Sequence, residues 1–575
     1  MNKKFLVSCI LFFIVMSVFY FSPTMLWFRE DDLGTIMNGF VFSFDDFVHA
    51  FSMDDRSCIC PINYQRSLAN VISGFWRPFQ HLIFTAIYAL YGMNPWAFYG
   101  VHCAIHAINS ALFFLVCASV LPIAPSMLAG LLFAFFNDMS WLTWIATMQI
   151  NLMIMFLLLM VLALKKYIVT TKNWWWWLAG VLYFLSLLCR EGGILLPLWL
   201  FLCAFLLYTK NSDTYGARFC NAFRLTWIFF VANCVYVLCR LWAFGVGSLP
   251  RTLYNMTLRF TGIGMQSYCA IFGSCRAWLE SLCNMGARTT GLLGMLLVII
   301  LVLSCTVCMA YRNKKLVLVC LLCGLVLASW PGFLIYPSAR YIYLVYPFLF
   351  FIVISAGYFF ITEHKKYRFL IVLVYFVIGY GAYKNSCSLN ASGRACCQSK
   401  KIYDDFFSRY GIQSESHFLL IGSPLVSDIQ NIFQWYTGSL KTTVAHEPYA
   451  LFAQEGIMAC RGDYRISGVS SDIIVTEKGF RFISHDKRCG WWLRFSDHPL
   501  AFDIKDRAYK WMAHEFEAGR TYPCAVGTFT INAMYAQNVV SDAEIQVDEP
   551  WRTPGTFVVV WDSAKGCYKI LMSYI

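Results

Sequence analysis

Apolar runs of about 17 to 23 residues recur from the N-terminus to about residue 384, each long enough to cross a hydrocarbon core roughly 30 Å thick. The first covers 5–21, and further spans are expected near 96–117, 126–137, 149–164, 174–188, 192–209, 225–247, 290–311, 316–335, 341–361 and 369–384, several of them short. Segment 78–92 is apolar but brief and ends at Gly92, so it reads as a helix lying in the membrane interface. The pattern predicts a polytopic α-helical membrane protein of about eleven transmembrane helices. After residue 384 it changes. Charged residues appear at ordinary spacing, with short β-branched and aromatic stretches such as Phe557-Val558-Val559-Val560-Trp561. Phe418-Leu419-Leu420-Ile421-Gly422-Ser423-Pro424, followed by an amphipathic stretch from Val426 to Trp435, reads as strand, turn and helix. Two domains follow: a membrane domain over 1–384, and a soluble, mixed α/β, strand-rich C-terminal domain over 385–575.

Composition agrees. Of 575 residues 59% are hydrophobic and 13% charged, and a mean hydropathy of +0.57 would leave an ordinary soluble domain with large exposed apolar patches. The formal net charge of +13 raises nucleic acid as a partner. The basic residues form no continuous face, however, and the expectation is no nucleic acid. Instead Lys3-Lys4, Lys165-Lys166 with Lys172, Lys210 with Arg218 and Arg224, Arg312 with Lys314-Lys315, and Lys365-Lys366 with Arg368 fall in alternate loops. By the positive-inside rule the N-terminus is cytoplasmic, while 22–95 and everything after the last span are extracytoplasmic. The first run follows two lysines as a signal peptide would. It lacks a small-x-small cleavage site before Ser22-Pro23, so it is read as a retained span of a multi-pass protein.

Most of the 24 cysteines lie in apolar runs and read as small hydrophobes. Cys58, Cys60, Cys387, Cys396, Cys397, Cys460, Cys489, Cys524 and Cys567 would face an oxidising compartment, where some could pair. No spacing resembles a zinc site. Trp174 to Trp177 are expected at a cytoplasmic interface, as an aromatic belt.

Four places offer chemistry. The loop over 22–77 carries Arg29-Glu30-Asp31-Asp32, Asp45-Asp46 and Asp54-Asp55. Two adjacent carboxylates resist ionising together, so one can serve as a base; the bland alternative is a solvated helix cap. Arg190-Glu191 interrupts an apolar stretch at an outer turn, where a guanidinium could clamp a phosphate or simply snorkel as an interfacial ion pair. Arg340 sits at another outer turn and invites the same two readings. His102 and His106 lie four apart on one helix. Without a Glu after His102 they lack the zinc-protease spacing, and packing or hydrogen bonding is the favoured role.

Several segments in order resemble the polytopic GT-C glycosyltransferases, especially the branch of protein O-mannosyltransferases, their tetratricopeptide-bearing relatives and bacterial aminoarabinose transferases. Asp31-Asp32 with Ile36 and Asn38 is similar to their Asp-Asp segment in the first outer loop. Arg77-Pro78, Tyr91-Gly92-Met93-Asn94-Pro95, His102, His106 and Asn109 follow their run of Arg-Pro, Phe-Gly-x-x-Pro, His, His and Asn. Arg190-Glu191 with Pro197 resembles their Lys-Glu turn, and Arg340-Tyr341-Ile342-Tyr343 their late Arg-Tyr-x-Tyr element. The resemblance covers 1–384. It departs from the pattern where Arg replaces Lys at 190, and where Asn137-Asp138 stands in place of a further acidic or Arg-Asp pair.

The resemblance implies transfer of a sugar from a polyprenyl-phosphate-linked donor to an acceptor hydroxyl, protein, lipid or glycan, on the outer face of what would be a bacterial inner membrane. One of Asp31 and Asp32 would be the general base. Arg190 would hold the donor phosphate with Glu191 orienting it, and Arg340 would assist. Glu30, Asn38, Arg77, His102, His106 and Asp138 are the candidate substrate contacts, Asp138 as a second acid. No cofactor or metal is required by these residues, although the acidic loop has the carboxylates to hold a divalent ion. Two rivals stand beside this reading. One is a glycan polymerase or ligase using a pyrophosphate-linked donor and the arginines of the loop near 248–289, such as Arg251 and Arg259. The other is a transporter, which should place charges near the bilayer midplane and not at the outer ends of spans.

Overall fold

The computed structural model describes residues 3–28, 32–37, 77–136, 139–190, 193–194, 196–205, 214–244, 369–412, 416–421, 429–439, 442–446, 471–485, 517–524, 527–536, 539–549, 552–562 and 567–574, with a few positions between 350 and 362. It divides into two compact units. The first comprises Met1–Thr24 and Trp76–Ala391, and the second Met25–Asn38 and Ser392–Ile575, with 39–53 and 54–75 outside the described residues.

The first unit is helical: α1 (Lys3–Tyr20), α3 (Pro78–Tyr91), α4 (Pro95–Cys117), α5 (Ile123–Phe135), α6 (Met148–Thr170), α7 (Asn173–Cys189), α8 (Leu196–Cys203), α9 (Tyr215–Phe244) and the start of α10 (Phe369–Tyr410). The second holds α2 (Asp32–Met37), the end of α10, and α11 (Ile429–Thr437). Among the described residues four helices are long and apolar enough to cross a membrane, beginning at Lys3, Pro95, Ile145 and Tyr215; Ile123–Phe135 and Asn173–Cys189 are apolar but shorter. The expected spans near 290–311 and 316–335 lie outside the described residues. The last expected span, 369–384, is the beginning of a 42-residue helix that continues to Tyr410. Polar residues from Lys384 onward do not stop it, because neither proline nor a glycine in the left-handed region intervenes until Gly411, at φ 61°.

Helix starts follow local chemistry. Asn94 caps α4 by accepting from the Trp96 N–H at 3.0 Å, with Pro95 at the first helical position. Four consecutive tryptophans at 174–177 cannot share one face of α7. Trp174 and Trp177 are exposed as a belt residue would be, whereas Trp176 turns inward, stacks near Trp227 at 5.1 Å and donates to the Leu225 carbonyl at 2.8 Å. Around it α6, α7, α8 and α9 close a core on Tyr183, Leu187, Phe229 and Tyr236.

Among the described residues of the second unit, nine strands form two sheets. A four-stranded sheet has the order β2-β1-β8-β9, with β1 (His417–Ile421) parallel to both β2 (Thr443–His446) and β8 (Thr556–Asp562), and β9 (Cys567–Tyr574) antiparallel to β8. β8 is central, and the neighbouring Val558 and Val559 are both buried, which explains its unbroken apolar sequence: both faces are covered. Tyr403, Phe406 and Phe407 of α10 and Phe433 of α11 pack against Phe418 and Tyr568 of this sheet. The other sheet is antiparallel, in the order β3-β4-β7-β6-β5, over β3 (Ser471–Val475), β4 (Gly479–Ser484), β5 (Thr521–Cys524), β6 (Gly527–Ala536) and β7 (Val539–Val547). Of the cysteines considered for pairing, Cys387, Cys397 and Cys567 are free thiols.

Candidate functional site

The connection between α5 and α6 is the most constrained polar feature of the membrane unit. α5 has 13 residues and, at about 1.5 Å per residue, reaches roughly 20 Å, short of a hydrocarbon core of about 30 Å. Two 3₁₀ turns, Ser140–Thr143 and Ile145–Thr147, follow before α6 resumes. Met139, Leu142, Ile145, Ala146 and Thr147 are buried. Irregular backbone of this kind survives inside a membrane protein only where other groups satisfy it.

Side chains from three helices do so. His102 of α4 places Nδ1 2.9 Å from the Leu142 carbonyl, and His106 places Nε2 3.2 Å from that of Ala134. Each ring nitrogen facing a carbonyl must carry the proton, which fixes the tautomers and gives both histidines a hydrogen-bonding role. Asn109, on the same face of α4, donates to the Asn151 carbonyl at 2.9 Å, and Gln80 of α3 donates to that of Ala146 at 3.1 Å. Asn385 of α10 completes the set. Its amide donates to the Phe135 carbonyl and its carbonyl oxygen accepts from the Met139 N–H, each at 2.9 Å. One carboxamide thus bridges the two ends of the segment that contains Asp138. Close approach needs Gly381 one turn earlier, since a Cβ there would fall 2.3 Å from the Phe135 oxygen.

Replacing Asn385 by alanine orphans two buried backbone groups and is expected to cost about 2–4 kcal/mol. The thermal unfolding midpoint in detergent should fall for Asn385→Ala and remain near its starting value for Tyr383→Leu at an exposed position of the same helix. Equal midpoints for both variants would show that the clamp contributes nothing.

Arg190 is the residue at which α7 ends. Its backbone is extended (φ −167°, ψ 142°) and its N–H closes the last turn on the Ser186 carbonyl at 3.0 Å. A guanidinium at a helix C-terminus meets the negative end of the helix dipole, so the charge is favoured there. The turn beyond is pinned: Tyr183 Oη lies 2.9 Å from the Gly193 carbonyl and 2.6 Å from Asn233 Oδ1, and Asn233 Nδ2 donates to the Ile194 carbonyl at 2.6 Å. Arg190 is half-buried. Arg77, also half-buried, immediately precedes α3, whose first residue is Pro78. Burial, with the Arg77 guanidinium as the lesser cause, pushes the His81 imidazole down to about 4, so it is neutral in the physiological range.

Asp32 belongs to the other unit. It opens the six-residue α2 and is fully buried, with Leu33 and Ile36 buried beside it. Glu30, Asp31, Asn38, Asp138, Glu191 and Arg340 lie outside the described residues. Among the described residues no group of three or more His, Cys, Asp or Glu is arranged to hold a metal. Sequence reasoning missed Gln80, Tyr183, Asn233 and Asn385. Apart from Tyr183 they share a signal, an uncharged amide in or beside an apolar run, which in a membrane interior marks an obligatory partner.

No protein-family model and no curated relative matches the chain. Among solved structures it is similar to the oligosaccharyltransferase of Archaeoglobus fulgidus in complex with Zn and sulfate, with a TM-score of 0.43, 10% identity, and 77% of this chain covering 62% of that one. The apo form of the same protein matches with a TM-score of 0.42, 10% identity, and coverage of 78% and 65%. ArnT from Cupriavidus metallidurans in the apo state matches with a TM-score of 0.30, 11% identity, and coverage of 76% and 86%. The chain spans just under two thirds of the length of the archaeal protein it matches.

Proposed function

We propose that the protein is a multi-pass membrane glycosyltransferase that moves a sugar from a polyprenyl-phosphate-linked donor to an acceptor hydroxyl on the outer face of a bacterial inner membrane. In this reading the chain crosses about eleven times, with the N-terminus cytoplasmic and the C-terminal domain outside. The observation that carries it is the fully buried carboxylate of Asp32, on a short helix that follows the first span by a dozen residues. A carboxylate is expensive to bury unless its environment serves it, and a base is what an acceptor hydroxyl needs as it attacks the anomeric carbon.

One of Asp31 and Asp32 takes the acceptor proton. The new bond forms at the anomeric carbon as the bond to the lipid phosphate breaks, with inversion, and polyprenyl phosphate leaves with the electron pair. Arg190, with Glu191 and Arg340 assisting, offsets the charge gathering on that phosphate. Glu30, Asn38, Arg77, His102, His106 and Asp138 remain the candidate substrate contacts, the two histidines through the backbone they hold. No cofactor is required by these residues, and the acidic loop has the carboxylates to hold a divalent ion.

The test is donor chemistry. The purified protein in lipid nanodiscs would be offered synthetic polyprenyl-monophosphate sugars and, separately, pyrophosphate-linked oligosaccharides, with release of the lipid carrier as readout. Turnover of the monophosphate donors is expected. Turnover of the pyrophosphate donors alone would select the polymerase or ligase reading, and movement of intact donor across the bilayer with no carrier released would select transport.

A further inference from the structure

The segment bearing Asp32 is not ordered by its own sequence. A six-residue helix is far below the length at which isolated helices are stable in water. Its position must therefore come from what it touches. Residues Met25–Asn38 belong to the same compact unit as the C-terminal domain, and within that unit α2 packs against α11. Leu26, Phe28, Leu33 and Ile36 are all buried. Upstream, the Trp27 ring carries the Lys400 ammonium 5.0 Å from its centroid. Lys400 in turn pairs with Asp404 at 2.5 Å, and Asp404 accepts from the Tyr436 hydroxyl at 2.6 Å. Tyr436 stands on α11, stacked on Phe407 of α10 at 4.7 Å. Burial and the bond to Asp404 push its phenol well above the usual range, so the hydroxyl is a permanent donor.

The contacts close a ring: Trp27 to Lys400, Lys400 to Asp404, Asp404 to Tyr436, and from α11 back to the helix that Asp32 opens. We propose that the C-terminal domain sets the position of Asp32 through this ring, with Trp27 and Lys400 as positioning residues for the base. The inference rests on the glycosyltransferase reading for its catalytic consequence and on geometry alone for the tether. It gives the domain a task apart from acceptor recognition: the chain leaving the first span acquires its reactive carboxylate only once the last third of the sequence has folded.

The experiment uses the full chain. Hydrogen exchange of the amides at 33–37 is compared in the unaltered protein, Trp27→Ala, Lys400→Met, Lys400→Arg and Lys401→Met. Losing a cation–π contact at a part-exposed site corresponds to a roughly two- to fivefold faster exchange. That is expected for Trp27→Ala and Lys400→Met, with recovery in Lys400→Arg and no change in Lys401→Met, which tests for a general charge effect. With a polyprenyl-monophosphate sugar as donor, kcat per folded molecule, with the folded fraction fixed by size-exclusion elution, should fall in the first two variants and recover in Lys400→Arg while KM for the donor stays constant. Unchanged exchange in both variants overturns the tether, and faster exchange with unchanged kcat overturns the positioning role. If the unaltered protein turns over no donor, glycosyl transfer itself fails and exchange alone decides the tether.

Discussion

Replacing Asp31 and Asp32 together by asparagine is expected to lower carrier release from a polyprenyl-monophosphate sugar by about 10²- to 10⁴-fold, the usual contribution of a positioned general base. The exchange of one carboxylate oxygen for an amide nitrogen keeps size and shape, so the fold should persist. Asp32 is fully buried, and the double variant must therefore be shown to elute as the unaltered protein does and to retain its helical circular dichroism. A folded double variant with full activity would end the assignment of the base. The single variants separate the pair: loss confined to Asp32→Asn would place the base in the buried carboxylate, and loss confined to Asp31→Asn in its neighbour. Asparagine cannot accept a proton, so a base role predicts that the loss shrinks as the pH falls far enough to protonate the native carboxylate, with the variant lacking that acid limb.

Arg190 carries the second large effect. A donor aimed at a leaving phosphate contributes most where the charge develops, and removing such a group typically costs about 10²- to 10³-fold in kcat. Arg190→Met is expected to show a loss of that order. Arg190→Lys should keep the charge and lose the forked pair of hydrogen bonds, and so fall between methionine and the native residue. The backbone groups of Arg190, Gly193 and Ile194 are held by Ser186, Tyr183 and Asn233 through contacts that do not involve the guanidinium. A change at the side chain therefore tests charge and geometry without unpinning the turn. Full turnover in Arg190→Met, combined with loss in an Arg251→Met, Arg259→Met double variant, would move the donor site to the other large loop and favour the pyrophosphate-donor reading.

The legibility of the fold varied with the range of the forces involved. α1, α4, α6 and α9 follow from hydropathy and length, because crossing lipid demands an uninterrupted apolar helix and little else. β1, α11 and β8 followed from local pattern for the same reason: their faces are buried against near neighbours. The continuation of α10 from 384 to 410 escaped notice, since hydropathy reports the solvent of a helix and not its end. Trp176 illustrates a finer limit. Its composition marks an interfacial belt, yet its place on the helix turns it into the core, and only the partner strip on α9 reveals which of four tryptophans does so.

The candidate site was legible as a set of residue types and not as an arrangement. Asp32, Arg190, His102 and His106 could be singled out because charge and imidazole are rare and costly beside lipid. What they touch was not readable. His102 holds a carbonyl of the α5–α6 connection and His106 one in the last turn of α5, and Asn385, some 250 residues downstream of Phe135, clamps the same connection. By itself the sequence determined a membrane-spanning chain, its expected sidedness and an inventory of groups able to do chemistry, since each depends on the transfer of single segments or side chains between water and lipid. The tertiary structure alone decided that an irregular connection is stitched by amides from distant helices, and that the first carboxylate segment belongs with the C-terminal domain. Hydrogen bonds and ring contacts are directional and short in range, so they exist only between groups that the whole fold has already brought within a few ångströms.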